Sequence, residues 1–282
     1  MANLKELQEL SAQVRRDILR MVYAVDSGHP GGSLGCTEFL VALYNEVMDY
    51  STDFKMDGKN EDVFVLSNGH ISPVFYSVLA RAGFFPVEEL KTFRRIDSRL
   101  QGHPTTHEGL PGIRIATGSL GQGLSAGIGM ALAKRLENDN HLVYTLQGDG
   151  ELQEGQIWEA LMYAGANQVD NIIMTIDRNG RQIDGDTEDV LYLGDLQAKL
   201  EAFLWDVVVV EDGNDMEQVL AGLKEAKSRT GKKKPVAILL DTEMGFGVDF
   251  MMGTHEWHGK APNKDQMDSA MNQIPETSLR DY

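Results

Sequence analysis

The chain has 282 residues, with 43 Asp and Glu against 26 Lys and Arg, a formal net charge of −17. That imbalance removes the broad electrostatic case for nucleic acid or an anionic membrane surface, so an anionic ligand must be held by local groups. The single cysteine, Cys36, forms no intrachain disulfide, and acids stand among the leucines of the first ten residues. No apolar run reaches the ~20 residues that span a bilayer, and a cytoplasmic protein is expected.

Leu4, Leu7, Leu10, Val14, Ile18, Met21, Val22 and Val25 recur at steps of three and four, one face of a helix ending before Asp26-Ser27-Gly28. Five short apolar runs then read as buried strands, over residues 62–66, 142–146, 172–176, 207–210 and 236–240. Residues 123–136, 157–166 and 216–227 lie between them and combine helix-forming composition with apolar spacing. Strand and helix alternate, which predicts an α/β fold with an open, mainly parallel sheet flanked by helices. Lys232-Lys233-Lys234 reads as a solvated turn. One domain is expected over residues 1–262; after Pro262 the sequence turns polar and loses periodicity, so residues 263–282 are expected to form a C-terminal tail.

In an open parallel sheet, ligands bind beyond the carboxyl ends of the strands. The first predicted strand runs into Ser67-Asn68-Gly69-His70, the second into Gln147-Gly148-Asp149-Gly150, the third into Asp177-Arg178-Asn179-Gly180, and the last toward Met244-Gly245-Phe246-Gly247. Any one such loop is ordinary turn chemistry; four on one rim point to a site. Asp149 and Asn179 follow consecutive strands, so a carboxylate and an amide oxygen can meet at one point. Magnesium takes such oxygens and shares its shell with ligand phosphates. As turn residues alone, the two are commonplace.

Four of the seven histidines, His29, His70, His103 and His258, sit beside glycine, and His255 lies three residues before His258. Such a set suits hydrogen bonding to hydroxyl and carbonyl oxygens near neutral pH. The spacings lack paired cysteines and a His-x-x-x-His arrangement, which argues against zinc. Thr117-Gly118-Ser119-Leu120-Gly121-Gln122-Gly123 leads into a helix and offers exposed amides to a polar ring or anion. Read from Gly121 it also fits G-x-G-x-x-A, but the preceding strand is poor and no acid ends the next strand about 20 residues on, so a dinucleotide site is weakly supported.

Taken in order, Ser27-Gly28-His29-Pro30-Gly31, Leu66-Ser67-Asn68-Gly69-His70, Gly102-His103-Pro104, the run 117–123, Gly148-Asp149-Gly150 with Glu151-Leu152-Gln153-Glu154-Gly155, Asp177-Arg178-Asn179 and Gly253-Thr254-His255 resemble the N-terminal half of transketolase, over residues 4–262. That half is the diphosphate-binding module of thiamine diphosphate enzymes. The resemblance implies thiamine diphosphate with Mg2+ or Ca2+ as cofactors. Asp149 and Asn179 would be metal ligands, and Arg181 would give a backbone carbonyl. His70 and Gly150 would contact diphosphate. Gly118 and Leu120 would meet the aminopyrimidine through backbone atoms, and Ser119, Asn179, Ile183 and His255 complete the implied cofactor contacts. His29, His70, His103 and His255 would surround the reacting carbon and the sugar hydroxyls, with less support for His258. Glu154 and Glu159 match acids that link paired active sites. Arg178 stands where relatives often have Asn.

The implied activity is transfer of a two-carbon ketol group from a ketose phosphate to an aldose phosphate, an EC 2.2.1.1-like reaction. Full-length transketolases continue into a pyrimidine-binding domain that supplies an activating glutamate, and this chain ends before it. The expectation is therefore half an enzyme, paired with a C-terminal subunit carrying that domain, two copies of each forming a heterotetramer. The alternatives are a noncatalytic subunit for assembly or regulation, a relative such as a deoxyxylulose-phosphate synthase, or a specialised sugar-phosphate transketolase.

Overall fold

The computed structural model describes residues 3–282. Helix α1 (Leu4–Ala24) opens with a capping box: the Asn3 side chain accepts the Glu6 N–H at 2.9 Å, and the Glu6 carboxylate accepts the Asn3 N–H at 3.0 Å. The apolar face read from the sequence buries Leu7, Val14, Ile18, Met21 and Val22. Two short helices follow, α2 (Pro30–Gly35) and α3 (Thr37–Ala42), and then a π-helical turn over Leu43–Val47. Periodicity could not announce α2 and α3, because every residue in them is buried.

The rest of the chain runs β1 (Val63–Leu66), α4 (Ser72–Arg81), α5 (Gln122–Glu137), β2 (Val143–Gly148), α6 (Gly155–Ala166), β3 (Ile172–Arg178), β4 (Arg181–Gln182) and β5 (Gly185–Asp186). It continues with α7 (Thr187–Val190), α8 (Leu196–Ala202), β6 (Asp206–Val210), α9 (Met216–Arg229), β7 (Val236–Asp241) and α10 (Lys264–Gln273). Five strands form one parallel sheet in the order β1-β2-β3-β7-β6, the α/β architecture expected. Alternate residues feed two cores. Tyr144 and Ile173 join α1 and α4 on one face, while Val143 and Met174 join α5 and α6 on the other. Residues 232–234 form an exposed bend, as read from their charge.

Register places the site. Gly148 is opposite Asp177, and Arg178 is opposite Asp241, so β2, β3 and β7 end together and their loops share a rim. The antiparallel pair β4 and β5 folds the chain back immediately after that rim.

Residues 263–282 depart from the expected tail. Asn263 caps α10 by accepting the Gln266 N–H at 2.9 Å, and Met267, Ala270 and Ile274 are buried. Beyond it Arg16 grips Asp281 at 2.8 and 2.9 Å, and the Arg20 guanidinium lies 4.8 Å from the Tyr282 ring centroid. The helical spacing was present but diluted among Lys, Asp, Asn and Gln. Among the described residues no helix is long and apolar enough to cross a membrane.

Candidate functional site

A cavity of about 220 Å³ opens at the carboxyl ends of the strands and takes residues from all four rim loops: Asn68 and His70, Gly148 to Gly150, Asp177 and Asn179, and Met244. Gly118, Leu120, Arg181, Ile183, His29 and His258 also line it, and the buried Glu151 reaches its edge.

Asp149 leaves β2 with its side chain buried. Its two oxygens accept the Gly150 and Gly180 N–H groups at 2.7 Å each, and its own N–H donates to the Asp177 carbonyl at 3.0 Å. Burial, with Asp177 close by, pushes its carboxyl up to about 7. Asn179 stands on the adjoining strand end. Its amide nitrogen donates to Asp177 at 2.8 Å, and its amide oxygen accepts the Arg181 N–H at 2.9 Å, which leaves that oxygen a second lone pair. Asp177 is also held by Thr242 and Cys36, and burial raises its carboxyl and the Cys36 thiol alike. Arg178 is turned away from this point by a two-pronged pair with Asp241 at 2.5 and 2.7 Å. Among the described residues no group of three or more His, Cys, Asp or Glu side chains is arranged to hold a metal. The donors here are of another kind, one carboxylate and one amide oxygen beside a backbone turn. That set is short of a closed shell and suits a hard cation that shares its ligands with a phosphorylated molecule.

Three histidines, His29, His70 and His258, close the other side, and His103 packs against His29 without lining the cavity. The His29 ring centroid lies 5.1 Å from His70, 6.2 Å from His103 and 5.6 Å from His258, and His70 lies 5.0 Å from His258. His29 precedes Pro30, the first residue of α2, and His70 sits on a single turn before α4. The Gly31 N–H donates to the Trp257 carbonyl at 3.1 Å, and this bond brings the neighbouring His258 to His29. Burial lowers His29 to about 4, helped by His258, Arg94 and His103. Burial also holds His70 well below its ordinary value and lowers His103 and His258. Near pH 7 these are neutral rings, each with one donor and one acceptor nitrogen. The Nδ1 atoms of His29 and His258, the Asn68 Oδ1 and the Thr117 Oγ1 are buried without a partner, which fits a polar ligand.

Glycine sets the closeness of the walls. A Cβ on Gly118, whose φ is +118°, would lie 2.5 Å from the His103 ring, and one on Gly69 would lie 2.6 Å from the Thr117 hydroxyl.

The predicted residues do not all converge. Ser119 is exposed and absent from the cavity wall, although Gly118 and Leu120 on either side of it line that wall. Glu154 and Glu159 are exposed outside the cavity, Glu159 in a groove of about 490 Å³ between α5 and α6. His255 makes no ring contact with the other four and does not line the cavity; its carbonyl accepts the His258 N–H at 2.9 Å, and His258 takes the place expected of it. Arg94 was missed. Its guanidinium lies beside Gly102 with Nε buried and unpartnered, and the adjacent basic residues of a polar stretch gave no signal to single it out. Asn68 and Asp177 stand in the motifs quoted above but had no role assigned to them.

Strand ends that bring two oxygens together opposite neutral imidazoles have the chemistry that would suit a phosphorylated ligand with its cation. Residues 8–275 match the family of the transketolase, thiamine diphosphate binding domain, and the chain belongs to that family. It is 36% identical over 273 residues to an apulose-4-phosphate transketolase subunit of Phocaeicola vulgatus, covering 97% of this chain and 95% of that one. It is 38% identical over 274 residues to a 6-deoxy-6-sulfo-D-fructose transketolase subunit of a Clostridium species, covering 95% of this chain and 96% of that one. The solved transketolase of Pichia stipitis superposes with a TM-score of 0.89 at 34% identity, over 96% of this chain but only 41% of that one.

Proposed function

We propose that the chain is the N-terminal subunit of a two-subunit transketolase, which moves a two-carbon ketol group between sugar phosphates using thiamine diphosphate and a divalent cation. The observation that carries this reading is the meeting of Asp149 and Asn179 with the neutral rings of His29, His70 and His258 in one cavity, with His103 packed against His29. Near-complete mutual coverage with relatives named as transketolase subunits supports it further.

In this reading Asp149, Asn179 and the Arg181 carbonyl hold Mg2+ or Ca2+, and Gly150 and His70 meet the diphosphate. When bound, thiamine diphosphate supplies an electron sink for breaking a carbon–carbon bond beside a carbonyl. The chain's own part is proton and charge placement. Neutral rings at His29, His70, His103 and His258 donate to a carbonyl oxygen as negative charge gathers on it, and accept from a hydroxyl that must lose its proton. Ile183, Val190, Leu191 and Tyr192 are exposed apolar residues around the rim, and a partner carrying the pyrimidine-binding domain would cover them in a heterotetramer.

Co-purification from the native source tests the partner. The assembled complex and the pure chain are then assayed with xylulose 5-phosphate and ribose 5-phosphate, with apulose 4-phosphate, and with 6-deoxy-6-sulfo-D-fructose. Ketol transfer by the complex alone is expected. Full turnover by the pure chain rejects the half-enzyme, and a complex that takes up no thiamine diphosphate rejects the catalytic reading.

A further inference from the structure

Glu151 lies two residues past Asp149, only 2% exposed, and takes no part in the chemistry above. Its carboxylate is met by donors from three separate segments. Oε1 accepts from the Ser67 hydroxyl and from the Gly121 N–H at 2.9 Å, while Oε2 accepts from the Gly148 N–H at 3.2 Å. Ser67 begins the loop that carries Asn68 and His70. Gly121 belongs to the run that carries Gly118 and Leu120, and Gly148 is the last residue of β2 before Asp149. Each segment is a different wall of the cavity.

The junction is tight. A Cβ on Gly123 would lie 2.3 Å from the Ser67 hydroxyl oxygen, so the glycine run and the Ser67 loop approach as closely as backbone allows. A buried carboxylate is costly unless its oxygens are satisfied, and an apolar side chain of similar size would fill the space without that cost. What a carboxylate adds is acceptor capacity. Ionised, it offers only lone pairs, whereas glutamine must turn an NH2 toward one of the donors.

We infer that Glu151 is a positioning residue that ties the three walls together and so fixes the gap between Gly118 and Leu120 on one side and His70 and Asp149 on the other. Its consequence for cofactor uptake rests on the function proposed above; its consequence for the loops does not.

The test has two readouts. The first is amide hydrogen exchange of the full cofactor-free chain, wild type against Glu151→Gln. Exchange over residues 67–70, 117–123 and 148–150 rises about tenfold, the worth of a lost hydrogen bond, while β3 and β7 keep their protection. The second is titration of the assembled enzyme with thiamine diphosphate and Mg2+, where half-saturation shifts upward about 10–100-fold, the range typical of residues that orient a ligand shell. Ser67→Ala removes one donor and leaves two, so it gives the same pattern at smaller amplitude, and it carries the test if Glu151→Gln does not fold. Unchanged exchange in the three segments overturns the inference, as does a rise spread evenly over the chain. Wild type and variant binding thiamine diphosphate equally well overturns the inference and leaves the proposed function standing. Loosened loops in a chain whose wild type binds none support the tie and reject the cofactor reading.

Discussion

Replacing His29 with Asn removes a titrating ring from the centre of the histidine cluster while keeping a polar side chain there. The wild-type ring is held near 4, against an ordinary 6.5, chiefly by burial. As pH falls through 6.5 the unfolded chain takes a proton that the folded chain refuses until about 4. Stability is therefore constant above the ordinary value, drains away between the two, and its contribution is gone below the lower one. The gap corresponds to ~3 kcal/mol at 1.36 kcal/mol for each tenfold change in proton affinity, and to about 2 kcal/mol once partial solvent access to the ring is allowed for. His70, His103 and His258 are lowered in the same direction, and they add to the loss in wild type and variant alike.

Urea unfolding of the cofactor-free full chain, followed by circular dichroism at pH 7.5, 6.0, 5.0 and 4.5, measures the effect. The two proteins differ by a fixed offset above pH 7. Below it the wild type loses about 2 kcal/mol more than His29→Asn by pH 4.5, so the gap between the curves changes steadily with pH. Parallel curves over the whole range would refute the reasoning, because they would mean that the ring is solvated and ordinary. A neutral cluster would then be no basis for proton placement at the carbonyl oxygen.

Asp149→Ala abolishes cation-dependent uptake of thiamine diphosphate by the assembled enzyme; calorimetry that finds wild-type affinity rejects Asp149 as a ligand. Gly118→Ala places a methyl group where only 2.5 Å separates it from the His103 ring, at a φ of +118°. A loss of about 1–3 kcal/mol in thermal unfolding is expected, with a shifted His103 imidazole resonance, and an unshifted resonance contradicts the close approach. Hydrogen bonds from Arg16 hold the Asp281 carboxyl at about 2, below its usual 3.8, so this pair stabilises the chain above pH 4 and stops doing so as pH falls toward 2. Asp281→Asn should flatten that acid limb by about 1 kcal/mol, the solvent-screened worth of such a pair, and an identical acid limb would show that the C-terminal residues do not dock.

The sheet was legible because short, mostly apolar runs such as Ile172-Ile173-Met174-Thr175-Ile176 are buried on both faces and bounded by turn residues. The rim was legible because Asp149 and Asn179 break those runs at the same level. What failed to read was local structure without contrast. The helix α4 is apolar nearly all round, and α2 is half glycine, so neither has a polar face to give a period. The histidines show the limit most plainly. His255 and His258 lie three residues apart in one irregular loop, and nothing in their spacing says which enters the cavity. The bond from the Gly31 N–H to the Trp257 carbonyl decides it, a contact between segments more than two hundred residues apart.

The proposed function asks an acidic chain to hold a doubly charged ligand without a cluster of lysines. Backbone N–H groups, together with the cation proposed at Asp149, would act at short range and cancel phosphate charge only within the cavity, so they would not need a basic surface. Imidazoles stripped of their charge by burial add hydrogen bonds without adding to that field. If the histidines were instead protonated at pH 7, they would repel the cation beside Asp149 and the two halves of the site would work against each other. In the proposed function neutral rings and a cation at the strand ends thus require each other, and the pH dependence of His29→Asn probes the first while Asp149→Ala probes the second.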